Sequence, residues 1–188
     1  MAGWYTHSPL NWPPSPYIYP LTVSMHFAQD IHRFFENSEL NPLDDDCCRD
    51  WFEKWGSVGC RDNYTMNMLQ QLGISTWLSG CITLTLEPFQ DVLKHGKIVC
   101  VDVEDAVCKL IQESTTHEIE FCTHEYKENK TIETRMDLVE ERLRFYQGAG
   151  LVITSRLHCV LPCTALGVPV IYVTDSKTDH RFETYFKI

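Results

Sequence analysis

From Lys97 to Val173 short apolar runs alternate with helical stretches, and this alternation constrains the fold more than any other feature of the chain. Ile98 to Val103 reads as a buried strand, Glu104 to Gln112 as a helix and Glu118 to Cys122 as a strand. Thr134 to Tyr146 places Met136, Val139, Leu143 and Tyr146 on one helical face. Leu151 to Thr154 is a further strand, Cys159 to Leu166 a helix closed by Gly167, and Pro169 to Val173 a last strand. Strands with continuous apolar cores, each followed by a helix, belong to a parallel sheet covered on both faces. The predicted class is α/β, built on Rossmann-like parallel sheets.

Upstream the pattern is less regular. Leu21 to Met25 suits a short buried strand, and Phe27, Ile31, Phe34 and Phe35 share one face of a helix. A helix is expected over Asp46 to Trp55, its acidic start suited to the positive end of the helix dipole. Ser57 to Cys60 reads as a strand, and Asp62 to Leu72 as a helix stopped by Gly73. Ile82 to Leu86 reads as a β-branched strand ending before Pro88. A shift in composition over Glu87 to Lys97 sets the expected division, a partial lobe over 1–90 and a more complete one over 91–188. At the start of the chain, four prolines between Pro9 and Pro16 exclude a regular helix, and tryptophans such as Trp12 suit an extended segment pinned to a core.

Charge and cysteine usage narrow the function classes. A net charge of -10 excludes a nucleic-acid grip through a general basic surface, yet a few local arginines can still hold a small anion. The nine cysteines are odd in number and no secretory leader opens the chain. Cys100, Cys108, Cys122, Cys159 and Cys163 lie inside apolar runs, where a free thiol behaves as a small hydrophobe. The sequons at Asn63 and Asn129 therefore read as coincidental. No apolar run approaches the roughly 20 residues of a membrane span. These features predict a cytoplasmic chain in a reducing compartment. No cysteine or histidine spacing matches a zinc site, so no metal is expected.

In parallel sheets ligands sit beyond the carboxyl ends of the strands, against the starts of the following helices. Two arginines fall there. One is Arg61, in Val58-Gly59-Cys60-Arg61-Asp62, where Asp62 can cap the next helix and pair with Arg61 at the surface. The other is Arg156, in Thr154-Ser155-Arg156-Leu157-His158. Thr154 and Ser155 can cap the helix that follows, leaving backbone N–H groups of its first turn to join Arg156 in an anion site. His158 adds an imidazole that can give or take a proton. Pro162 has no N–H for the His158 carbonyl, so this helix is expected to start late or with an irregular first turn.

The run from Val152 to His158, followed by Ala165-Leu166-Gly167-Val168-Pro169-Val170-Ile171, resembles the C-terminal signature of the polysaccharide pyruvyl transferases. Gly59-Cys60-Arg61-Asp62, Gly73-Ile74 and Ser79 to Thr85 resemble the family's central segment. Gly3-Trp4, Asn11 to Ser15, Pro20-Leu21 and Ser24 to Phe27 resemble the opening of one subgroup. The resemblance implies a GT-B-like pair of Rossmann-like lobes and a transferase of polysaccharide biosynthesis. Such an enzyme moves a pyruvyl group from phosphoenolpyruvate to sugar hydroxyls, forming a ketal, with no further cofactor. It implies His158 as catalytic residue, and Arg61, Arg156, Ser155, Thr154 and Leu157 as substrate contacts. The partners it implies are an anionic small-molecule donor and a sugar or glycan acceptor. Family members usually begin with further β-α units, so the N-terminal lobe is expected to be curtailed. A curtailed lobe fits a reduced enzyme, a cleft completed in a homodimer, or a non-catalytic anion- or glycan-binding remnant. A nucleotide-sugar-dependent GT-B glycosyltransferase is the alternative on the same architecture.

Overall fold

A computed structural model describes residues 3–4, 15, 17–27, 46–125, 130–174 and 184–185. Contacts divide the chain into two compact units, Met1–Ile82 with Thr178–Ile188, and Thr83–Lys177. The division thus falls some residues before the expected 90/91 boundary, and the last residues of the chain group with the first unit.

The first unit holds a parallel sheet of four short strands in the order β1-β2-β3-β4. These are β1 (Gly3–Trp4), β2 (Met25–His26), β3 (Val58–Cys60) and β4 (Thr76–Leu78). Helix α1 (Asp46–Trp55) precedes β3, and α2 (Asn63–Gln71) joins β3 to β4. Met25, Phe52, Val58 and Leu69 form the centre of its core. The expected strand over Leu21 to Met25 is reduced to Met25–His26. Ser24 has φ +55, which breaks an extended run, and Leu21 is exposed.

Ile82 to Leu86 is not a strand. Ile82–Thr85 is a 3-10 helix, and the ladder partner of β3 is β4, which the apolar pattern did not mark. The ladder closes where the backbone N–H groups of Ser79 and Gly80 both donate to the Cys60 carbonyl. Gly80 then turns the chain at φ +69, and the Ile82 N–H is taken by the Ser24 hydroxyl. The helix expected around Phe27 to Phe35 and most of the proline-rich opening lie outside the described residues.

The second unit is a regular β-α array with sheet order β6-β5-β7-β8, all parallel. Its elements are β5 (Ile98–Val101), α3 (Asp105–Ser114), β6 (Ile119–Cys122), α4 (Ile132–Gly148), β7 (Leu151–Thr154), α5 (Leu157–Ala165) and β8 (Val170–Tyr172). The central strands β5 and β7 are almost wholly buried, as their unbroken apolar sequences require. Val99, Val101 and Val152 meet Tyr146, Cys159 and Cys163 from α4 and α5 in the core. Cys60, Cys81, Cys100, Cys108, Cys122, Cys159 and Cys163 carry free thiols. This parallel β-α arrangement is Rossmann-like, as the alternation of elements requires.

The apolar stripe of α4 is buried only in part. Tyr146 is 1% exposed, whereas Met136 is 63% and Val139 54% exposed. The cause is length: a 17-residue helix runs about 26 Å, while four-residue strands run about 13 Å. The amino-terminal half of α4 therefore extends past the sheet it covers.

Close backbone approach fixes one glycine. A Cβ on Gly150, at the entry to β7, would stand 2.7 Å from the Gly96 carbonyl oxygen. Gly150→Ala is expected to destabilise the protein by about 1–3 kcal/mol through overpacking. A fall in the urea midpoint at constant m-value would register it, and an unchanged midpoint would show that the Gly96 backbone yields freely.

Candidate functional site

Strand order locates the site. From β5 the chain crosses to β6 on one side, while from β7 it crosses to β8 on the other. The carboxyl ends of the neighbouring strands β5 and β7 therefore flank a topological switch point, the crevice where open parallel sheets bind ligands. Asp102 follows β5 there, and Ser155-Arg156 follows β7.

Asp102 ties the strand ends together. It sits at φ +50, a left-handed conformation that aspartate tolerates better than most residues. Its carbonyl accepts the Ser155 hydroxyl. Its Oδ2 accepts the backbone N–H of His124 at 3.1 Å and the Nε–H of Arg156 at 3.0 Å. Burial alone would raise the Asp102 carboxyl, but hydrogen bonds from Thr123, the His124 backbone and Arg156 outweigh it, and the net shift is downward. The His124 ring in turn meets the buried Tyr146 hydroxyl at 2.7 Å.

Arg156 is the N-cap of α5, and its extended backbone makes no side-chain capping bond. Its side chain is 45% exposed; Nε is held by Asp102, and the terminal NH2 reaches the exposed Glu125 at 3.4 Å. Fixing the guanidinium through Nε orients its terminal nitrogens as a fork for a planar anion.

The other expected residues divide by burial. Thr154 is 0% exposed, and its Oγ1 accepts the Arg156 N–H at 3.0 Å. Ser155 bonds the Asp102 carbonyl instead of capping the helix. The capping expected of Thr154 and Ser155 is thus replaced by two bonds that shape the turn ahead of the helix. Leu157 is 5% exposed and packs inward, so only its backbone can face a ligand. His158 is exposed on the first turn of α5.

That helix does not start late. It begins at Leu157, and its first turn closes through Cys159 N–H and Val160 N–H on the Arg156 carbonyl, at 2.9 and 3.1 Å. Pro162 lies inside the helix, where the missing N–H costs one bond without unwinding the turn before it.

In the first unit Arg61 is 3% exposed. Its N–H donates to Met25 O at 2.7 Å, and its carbonyl accepts the Tyr185 hydroxyl at 2.6 Å. Asp62 does cap α2, its Oδ1 accepting Thr65 N–H at 2.8 Å. Its Oδ2, however, lies 2.6 Å from Nδ1 of the buried His26. An ionised carboxylate only accepts, so Nδ1 carries the proton. The surface pairing of Asp62 with Arg61 is thereby replaced by an interior pairing with a residue that spacing had not marked.

Asp102 also escaped the sequence reading, although a signal exists: an acidic residue directly after a buried strand, two positions before the next helix can begin. Among the described residues no group of three or more His, Cys, Asp or Glu is placed to hold a metal ion, and no helix is long and apolar enough to cross a membrane.

No curated protein and no solved structure gave a significant match. A family model described as polysaccharide pyruvyl transferase matches residues 15–177, well over half of the 188-residue chain. The match takes in β3, α2 and the whole β-α array that carries Asp102, Arg156 and His158, and the chain belongs to the polysaccharide pyruvyl transferase family.

Proposed function

We propose that this protein transfers a pyruvyl group from phosphoenolpyruvate to two hydroxyls of a sugar, forming a cyclic ketal and releasing phosphate. The observation that carries this reading is Arg156, fixed through Nε by Asp102 at the topological switch point beside the start of α5. Phosphoenolpyruvate brings a phosphate and a carboxylate. Arg156 takes one of them as a bidentate fork, and the open N–H groups of a helix start favour the same charge. The donor displaces Glu125, whose 3.4 Å contact is long and whose side chain is 72% exposed. Thr154 and Ser155 hold the turn, and Leu157 contributes its backbone.

His158 acts as general acid. Its proton goes to the methylene carbon of the donor, and the carbon bearing the phosphate becomes oxocarbenium-like. One sugar hydroxyl oxygen bonds to that carbon and returns its proton to His158. The carbon–oxygen bond to phosphate then breaks, and the second hydroxyl oxygen closes the ketal. Of the two hydroxyl protons, one replaces that taken by the methyl group and the other leaves on phosphate, so atoms and charge balance.

Phosphate release from phosphoenolpyruvate on addition of sugar acceptors tests the reaction, and thermal shift tests the donor. Arg156→Gln is expected to weaken phosphoenolpyruvate binding by about 10- to 150-fold, the loss of a charge-assisted pair. Stabilisation by nucleotide sugars in place of phosphoenolpyruvate would assign the crevice to a glycosyltransferase.

A further inference from the structure

The loop after β6 puts three consecutive residues onto the Asp102–Arg156 pair. Thr123 hydrogen-bonds the Asp102 carboxylate through its side chain, the His124 N–H donates to Oδ2 at 3.1 Å, and Glu125 meets a terminal nitrogen of Arg156 at 3.4 Å. Thr123 and Glu125 are exposed, while His124 is half-buried. Its Nε2 lies 2.7 Å from the hydroxyl of Tyr146, a core residue near the end of α4 that is 1% exposed. Hydrogen bonds from Cys163, His124 and Thr154 hold the Cys159 thiol below its ordinary range, so His124 also meets the first turn of α5.

This bracing bears on what Arg156 can offer a ligand. A carboxylate beside a guanidinium favours a bidentate pair of two parallel N–H···O bonds. Asp102 makes one such bond, Oδ2 to Nε at 3.0 Å, and spends further acceptor capacity on Thr123 and His124. Were the His124 N–H to move away, Asp102 could rotate and take a terminal nitrogen of Arg156 as well. The fork that an anion uses would then be closed by the protein's own carboxylate. A core hydroxyl that holds the His124 ring therefore keeps the fork open, although it touches no ligand.

We propose that Tyr146 and His124 are positioning residues for anion binding at Arg156. The hydroxyl fixes the ring, the ring fixes the loop, and the loop N–H holds Asp102 to a single bond with Nε. This role rests on Arg156 as the donor contact and is independent of the chemistry that follows binding.

Calorimetric titration of the full-length chain with phosphoenolpyruvate, and with inorganic phosphate, tests it. Tyr146→Phe removes the hydroxyl and keeps the ring in the core, whereas His124→Ala keeps the backbone N–H and removes the ring that anchors it. Each is expected to weaken phosphoenolpyruvate binding by about 3- to 10-fold, because the Arg156 side chain must then be ordered at the moment of binding. In phosphate release the loss should fall on the KM for phosphoenolpyruvate more than on the rate at saturation. A residue that only stabilised the fold would lower the urea midpoint without moving the dissociation constant of the folded protein. A double-mutant cycle gives the second check: in an Arg156→Gln background, Tyr146→Phe should change affinity by less than about twofold. Parental affinity in both Tyr146→Phe and His124→Ala, or an undiminished effect of Tyr146→Phe beside Arg156→Gln, overturns the positioning role and leaves Arg156 as donor contact. Parental affinity in Arg156→Gln alone removes that contact and the positioning role with it. The expected affinity changes with no phosphate release from any acceptor would support the positioning role and reject the transferase reading.

Discussion

Replacing His158 by Gln is expected to lower the rate of phosphate release by about 10²–10⁴-fold, the usual contribution of a positioned general acid. The hard step in the proposed reaction is delivery of a proton to the donor's methylene carbon. Until that carbon is protonated, its neighbour has no electron deficiency for a hydroxyl to attack. Gln retains a hydrogen-bonding side chain of similar length but carries no transferable proton at neutral pH. His158 is exposed on the first turn of α5 and supports no part of the core, so the fold is expected to survive the change. Donor binding rests on Arg156 and the helix start, so the thermal shift induced by phosphoenolpyruvate should change little. Single-turnover phosphate release and thermal shift on the same preparation separate chemistry from binding. Parental turnover in His158→Gln would remove His158 from the mechanism and leave Arg156 in place.

The sequence carried the second unit in detail because its central strands β5 and β7 are buried on both faces. Leu151 to Thr154 was legible residue for residue: a short β-branched run set off from the preceding helical stripe by Gly148 and Gly150 reads as a buried strand. The first unit was harder. Thr76–Leu78 is three residues long with Trp77 and Leu78 exposed, so no burial pattern marks it, whereas the more β-prone Ile82–Thr85 is turned into a 3-10 helix by Gly80 and Ser24. Local propensity lost there to two specific turns. The site divided in the same way. Arg156 and His158 stand out as candidates because strand-end position is a one-dimensional property. Asp102 and His26 gain their meaning from partners 54 and 36 residues away, which spacing does not encode.

Asp62→Ala is expected to lower the stability of the protein by about 3–5 kcal/mol, the cost of breaking a buried polar pair from one side. Asp62 is 0% and His26 2% exposed, so neither group has water to replace the other. The substitution also strips the N-cap from α2, a loss of about 1 kcal/mol in isolation. The two losses share one side chain and are not summed. Against a typical net stability of about 5–15 kcal/mol, this brings the chain close to unfolding at ordinary temperature. Asp62→Asn keeps an oxygen for the Thr65 N–H and turns its amide NH2 towards His26, whose ring proton must move to Nε2 for Nδ1 to accept it, so its effect should be smaller than that of Ala. Acid sensitivity follows from the same contacts. Burial alone would raise the Asp62 carboxyl, but hydrogen bonds from His26 and Thr65 outweigh burial and hold it below the ordinary 3.8. The unfolded chain therefore takes up this proton at higher pH than the folded one. The contribution is fully present above the ordinary value and is lost as pH falls through the lowered folded one. Urea midpoints measured from pH 7 down to pH 3 should fall less steeply in Asp62→Asn than in the parent over the acid limb. Identical acid limbs would show that the His26–Asp62 pair does not govern the stability of the first unit, and an unchanged midpoint for Asp62→Ala would show the pair to be dispensable.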